Sequence, residues 1–280
     1  MIFNIRGKLV ELVSPTVMGV INLTPDSFYA ASRAVEPAEV VRRAGEMIRA
    51  GAGILDIGAC STRPGSISVS PREELSRLTP VMDLLRSEFP DMLISIDTFN
   101  ASVVREAAVR WNVDIINDVS GGDDPDMFDV VAEHGLVYVL MHKRGTPADM
   151  QERCSYDDVT AEVISSLAFS LCRLRLKGVK DVIIDPGFGF AKNLEQNYRM
   201  IVELEEFKKI GPPVLVGISR KSMITSLLGC SSEEALAGTV ALNSIAMMKG
   251  ADIIRVHDVR PAVDAAQIVR SLKNVEKCLT

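Results

Sequence analysis

The chain has 280 residues, 47% hydrophobic and 24% charged, with a formal net charge of −6. That is the composition of a globular protein with a large core, and the acidic balance argues against nucleic acid as a partner. No stretch approaches the ~18 apolar residues of a membrane span, and five cysteines without C-x-x-C spacing indicate reduced thiols rather than a disulfide framework or a zinc site.

In chain order, the opening MIFNIRGKLVEL has too little basic charge and too short an apolar run for a signal peptide, and reads as a short extension. One unit then repeats: a short apolar run ending abruptly in a polar residue, followed by a helix-patterned stretch. The runs are VMGVIN ending at Asn22, ILDIGA leading to Thr62 and Arg63, LISID at Asp97 and DIIND at Asn117 and Asp118. VYVLMH at His142, VIID at Asp185, VLVGISRK at Lys221 and IIRVHD at 255–258 complete eight. Helices are expected over 37–49, with Pro37 in the first turn, and from 71 behind Ser70 as N-cap, with Glu73 as the capping-box acid. Others follow over 100–111, 125–134, 156–177 and 193–208. After Lys221 come a short helix ending near Gly229 and a longer one over 232–249, and 261–272 closes the chain.

Eight short strands alternating with helices predict a (β/α)8 TIM barrel with an extra helix after the seventh strand. It is one domain over 1–280, its core spanning about 15–273, in line with the roughly 250 residues usual for such a barrel. Barrel enzymes carry their chemistry where the strands end. Arg63, Lys221, Arg255 and His257 all lie at or just past predicted strand ends, so an acidic chain gathers cations on its functional rim. That suggests an anionic small-molecule substrate.

The strand-end segments resemble the successive signatures of the dihydropteroate synthase family. They are MGVINLTPDSF at 18–28, GACSTRPGSISVSPREEL at 58–75, SIDT at 95–98, IINDVSGG at 115–122, MHKRGTPADMQ at 141–151, DPGFGFAKNLEQN at 185–197, GISRKSM at 217–223 and RVHDV at 255–259. Each is weak alone; eight in the family's order, over nearly the whole chain, are specific. The resemblance implies condensation of dihydropterin diphosphate with p-aminobenzoate in folate biosynthesis, in a homodimer; the unpaired cysteine pattern suits a cytoplasmic enzyme.

It also implies roles. Asp97, Asn117 and Asp185 would read the hydrogen-bonding edge of the pterin, whose face packs on Met141, while Lys221 reaches the ring carbonyl and the floor of the aminobenzoate site. Arg63, Thr62, Arg255 and His257 would hold the diphosphate, with Asn22 acting through Mg²⁺, which keeps most of its waters and takes charge partners from phosphate oxygens. Ser222 would meet the aminobenzoate carboxylate, and Phe28, Pro64 and Phe190 would wall its ring. Chemistry would be SN1-like, with Arg63, Arg255 and His257 steadying the departing diphosphate and Asp97 and Lys221 the pterin side. The sequence departs from the family's commoner pattern at positions 29–33 and at Lys143, which adds a cation near the rim. The rival readings are a methyltetrahydrofolate-binding methyltransferase barrel, a non-catalytic pterin-binding barrel and a generic phosphate-binding aldolase or isomerase. The first needs no anion cradle, and the last lacks an acidic partner for a Schiff-base lysine.

Overall fold

The computed structural model describes residues 1–24, 36–60, 69–146 and 149–279. An antiparallel hairpin of β1 (Ile2–Ile5) and β2 (Lys8–Glu11) precedes eight parallel strands. These are β3 (Thr16–Asn22), β4 (Ile54–Gly58), β5 (Ile94–Asp97), β6 (Ile115–Asp118), β7 (Val137–Met141), β8 (Val182–Asp185), β9 (Leu215–Val216) and β10 (Ile253–Val256). They pair in the order β8-β7-β6-β5-β4-β3-β10-β9. A parallel bridge between Ile184 and Val214, with the Ile184 N–H donating to the Pro213 carbonyl at 2.9 Å, brings β9 against β8 and closes the ring. This is the expected (β/α)8 barrel.

Strand side chains alternate between two environments because the period is two. Met18, Ile54, Ile115, Val137, Val139, Ile183, Leu215 and Ile253 fill the barrel interior. Their neighbours of opposite parity, such as Val17, Leu55, Ile116 and Ile254, pack outward against the helices. The interior cluster includes Phe3 and Ile5, so the N-terminal extension is a plug for the barrel floor rather than a loose tail. Its strands have four residues each, too few for the sequence pattern to announce them.

The helical layer is α1 (Pro37–Arg49), α2 (Pro71–Glu88), α3 (Ala101–Trp111), α4 (Met127–His134), α5 (Val159–Leu176), α6 (Leu194–Val202), α7 (Ser222–Leu228), α8 (Leu236–Met248) and α9 (Val259–Leu279). The doubled helix after the seventh barrel strand is α7 with α8. Ser70 caps α2 by accepting from the Glu73 N–H at 3.3 Å, but the Glu73 carboxylate turns to Arg77 at 2.6 Å instead of completing a box. The reciprocal box lies at α6, between Asn193 and Gln196. That helix stops at Val202 and resumes as a 3₁₀ segment, Leu204–Ile210, where a continuous helix was expected. At the C-terminus α9 is longer than expected at both ends. Among the described residues, no helix is long and apolar enough to cross a membrane.

Candidate active site

The alternation that fills the floor also builds the mouth. Two residues beyond Ile115, Val139, Ile183 and Ile253 on the same face come Asn117, Met141, Asp185 and Arg255; beyond Ile54 comes Asp56, and beyond Met18 come Val20 and Asn22. Parallel register sets Asn22 beside Gly58, Gly58 beside Asp97, and Asp97 beside Asn117. Together with the loops after β8 and β9 they line a cavity of about 620 Å³. Ten sequence-predicted site residues border it: Asn22, Asp97, Asn117, Met141, Asp185, Phe190, Lys221, Ser222, Arg255 and His257. Phe28, Thr62, Arg63 and Pro64 lie outside the described residues.

An ion network crosses the floor of this cavity. Arg255 donates from Nε to Asp56 Oδ2 at 2.6 Å and from Nη2 to Asp97 Oδ2 at 2.7 Å. The Asn117 amide donates to the same Asp56 oxygen at 3.1 Å, which fixes the amide's orientation. Asp56 is fully buried, and its second oxygen has no hydrogen-bond partner among the described residues. Sequence reasoning missed Asp56 because it sits in mid-strand; its alternation with Ile54 was the available signal. Burial pushes the Asp97 carboxyl up to about 7, with Arg255 opposing and Asp56 reinforcing. The net field of Asp56 and Asp97 outweighs burial at Arg255 and holds its guanidinium charged. Asp118, one residue further along β6, faces the other way: it accepts from the Tyr138 hydroxyl at 2.6 Å and from two loop N–H groups, which is a structural task.

Two strand-end loops supply the rest. The Asp185 carboxylate accepts from the Gly187 N–H at 2.7 Å, and burial raises its pKa against the pull of Lys221. Lys221 donates to the Phe188 carbonyl at 2.7 Å, and its ammonium lies 4.8 Å from the centre of the Phe190 ring. Burial lowers the Lys221 pKa to about 8, with Asp185 opposing. Arg220 just before it has a left-handed backbone, φ 58°, and grips Asp258 through two 2.8 Å contacts, joining the loop after β9 to the one after β10. Ser219 Oγ accepts the His257 N–H at 3.3 Å and lies 3.1 Å from Nδ1 of that imidazole. If the hydroxyl donates to Nδ1, Nε2 carries the proton and is the imidazole's donor. Burial, then Arg255, lowers the His257 pKa to about 4, so the ring is neutral near pH 7.

Lys143 does not act as a free rim cation: it pairs with Asp123 at 2.5 Å. Among the described residues no group of His, Cys, Asp and Glu could hold a metal ion by itself. A side chain at Gly58 would place its Cβ 3.6 Å from Asn22 Oδ1 and 3.5 Å from Asp97 Oδ2, so the glycine keeps the space beside the Asn22 amide clear. One amide oxygen next to open space fits a cation that arrives with most of its own ligands.

The model of the pterin binding enzyme family matches residues 18–257. Dihydropteroate synthase from Escherichia coli K12 is 43% identical over 268 residues, covering 95% of this chain and 94% of the relative. The chain belongs to the dihydropteroate synthase family. The Synechocystis member is 40% identical, over 91% of this chain and 89% of its own length. The Yersinia pestis enzyme, solved in complex with a sulfonamide drug, has a TM-score of 0.92 at 39% identity and covers 98% of this chain, which spans 100% of that one. The Thermus thermophilus synthase in complex with 4-aminobenzoate has a TM-score of 0.87 at 38% identity, over 97% of this chain and 100% of its own. These likenesses extend over the barrel and its mouth alike.

Proposed function

We propose that this chain is a dihydropteroate synthase, a transferase that joins 6-hydroxymethyl-7,8-dihydropterin diphosphate to p-aminobenzoate, giving 7,8-dihydropteroate and pyrophosphate for folate biosynthesis. One observation carries the reading: Asp97, Asn117 and Asp185 border the same cavity as Lys221, Arg255 and His257. The acids and the amide suit the donor-rich edge of a pterin; the cations Lys221 and Arg255, with the neutral His257 ring as a hydrogen-bond donor, suit the diphosphate on its methylene.

The barrier lies in breaking the bond between the methylene carbon and the diphosphate oxygen, since an aromatic amine is neutral and already has its lone pair available. The electron pair of that bond leaves with the diphosphate, Arg255 and His257 receive the growing negative charge, and the ionised carboxylates of Asp97 and Asp185 favour the pterin-centred cation. The amine nitrogen then bonds to the methylene carbon and gives up a proton to the released pyrophosphate or to solvent water. Lys221, charged below its pKa of about 8, donates to the pterin carbonyl. Asn22 would hold Mg²⁺, which would supply further positive charge at the leaving group. Thr62 and Arg63 belong to the diphosphate side of this proposal; Ser222 and Phe190, with Phe28 and Pro64, belong to the aminobenzoate side. Leaving-group chemistry also separates this reading from methyl transfer from a folate, which gives Arg255 and His257 no anion to hold.

Two further parts of the reading concern the enzyme as a whole. Exposed Leu227, Leu228, Leu236, Ile245, Ile268 and Leu272 on α7, α8 and α9 support a homodimer through these late helices. Five free cysteines suit a reducing cytoplasm. The experiment for the activity is turnover with purified chain: pyrophosphate should appear only when both substrates are present. Release that ignores p-aminobenzoate would mean a pterin diphosphate hydrolase.

A further inference from the structure

Lys192 is a buried lysine outside the reaction just described; burial lowers its pKa to about 7, with Asp185 opposing, so it is an ammonium below neutral pH. Its residue is only 3% exposed, yet no carboxylate lies within ion-pair distance of it among the described residues. An ammonium so placed is costly unless each of its three protons finds an acceptor. Each does: Nζ lies 3.1 Å from His142 Nδ1, 2.9 Å from the Gly187 carbonyl and 2.9 Å from the Phe190 carbonyl. For an ammonium to donate to it, His142 Nδ1 must be unprotonated and the ring neutral. Burial, then Lys192 and Arg144, lower the His142 pKa to about 2, which agrees.

The two carbonyls belong to the turn that follows Asp185. Its Phe190 N–H also donates to the Gly187 carbonyl at 3.1 Å, so Lys192 ties together the ends of a turn already closed on itself. The turn is pressed against residue 142: a Cβ on Gly187, whose φ is 72°, would lie 1.9 Å from the His142 carbonyl oxygen. Ala191, left-handed at φ 49°, returns the chain toward the ammonium. On its cavity side the same turn presents the Phe190 ring and the Phe188 carbonyl that Lys221 grips. Two lysines thus hold one turn from opposite sides, Lys221 within the cavity and Lys192 beneath it.

We infer that Lys192, with neutral His142 as its acceptor, is a positioning residue that sets the Phe190 wall of the aminobenzoate subsite. The inference rests on the synthase reading above. It assigns Lys192 no contact with either substrate and no part in the bond-breaking step. Loosening the turn moves Phe190 directly. Asp185 and Lys221 also touch the turn, through the Gly187 N–H and the Phe188 carbonyl, but Asp185 is anchored at the end of β8 and Lys221 at the start of α7, while Asp97, Asn117 and Arg255 stand on separate strands. The larger effect should therefore fall on the second substrate.

The test is steady-state kinetics of the full chain with each substrate varied in turn. Lys192→Met keeps the stem and removes all three donors. It should raise KM for p-aminobenzoate by about tenfold or more and that for the pterin diphosphate by a clearly smaller factor, about threefold or less. His142→Leu should act in the same direction, and His142→Asn, whose Oδ1 can replace Nδ1 as acceptor, should recover most of the loss. Nitrogen NMR of the His142 ring supplies a readout independent of activity: an unprotonated Nδ1 in the wild type, altered in Lys192→Met. Unchanged KM for p-aminobenzoate in a folded Lys192→Met protein, or equal rises for both substrates, overturns the inference. If Lys192→Met does not fold, the Leu and Asn variants of His142 decide it by the same criterion. Absence of turnover in the wild type would instead overturn the synthase reading, leaving the NMR result to report on the clamp.

Discussion

Arg255 Nη2 lies 2.7 Å from Asp97 Oδ2, joining the cation assigned to the diphosphate to the acid assigned to the pterin. The two groups come from the last and third barrel strands, and Arg255 also holds Asp56. On the proposed reading, the pterin diphosphate draws on both partners, offering Asp97 ring N–H donors and Arg255 phosphate oxygens.

That exchange has a pH signature. The Asp97 carboxyl titrates near 7, well above its usual 3.8, chiefly because it is buried. Between those two values the folded chain keeps a proton that the unfolded chain has lost, so this group's contribution to stability falls as pH rises through the window. A pterin that needs the carboxylate should bind more tightly as pH rises from about 5.5 to 8, with proton release near pH 6. Calorimetry in buffers of different ionisation enthalpy measures the released proton; pH-independent affinity with no proton exchange refutes the assignment.

Asp185 is buried and already accepts the Gly187 N–H at 2.7 Å. Asp185→Asn replaces an oxygen acceptor with a donor and removes the charge facing Lys221. We expect a loss of about 2–4 kcal/mol in pterin affinity, the scale of a charge-assisted contact left mismatched. Titration calorimetry on the folded variant checks it, and wild-type affinity would remove Asp185 from the pterin site.

Much of this site was legible in the sequence, for a definite reason. Parallel strands buried on both faces read as apolar runs, and the polar residue that ends each run marks the barrel mouth. Asn22, Asp97, Asn117, Asp185 and Arg255 were found by that rule. Asp56 was not, because it interrupts ILDIG from within, and only the inward phase of Ile54 reveals that it faces the cavity. Ser219 and Lys192 escaped for another reason: their partners, His257 and His142, are 38 and 50 residues away, distances at which one sequence carries no signal. The capping box at α2 failed although its start at Pro71 was legible, because Glu73 took Arg77 over the backbone of Ser70.

The N-terminal hairpin should matter to stability despite its distance from the cavity. Phe3 is 3% exposed and packs with the interior residues Met18, Ile54 and Ile253. Phe3→Ala should cost about 3–4 kcal/mol in chemical denaturation, as for other large-to-small changes in a core. A loss below ~1 kcal/mol would mean that the hairpin is not a working part of the core.

Metal dependence should follow the diphosphate. With a single amide oxygen from Asn22 on offer, the free protein should bind Mg²⁺ weakly, and pyrophosphate should create the site. Calorimetry with Mg²⁺ alone, then with Mg²⁺ and pyrophosphate, separates the two cases. Tight stoichiometric binding to the free protein, or full turnover in excess chelator, contradicts this part of the proposal.

The most direct measurement is the identity of the pterin product. Mass spectrometry of a reaction containing the dihydropterin diphosphate and p-aminobenzoate should show 7,8-dihydropteroate, formed one-to-one with pyrophosphate. Detection of the hydroxymethyl pterin instead, with p-aminobenzoate unconsumed, would show that water and not the amine captures the methylene carbon, and the synthase account would be wrong.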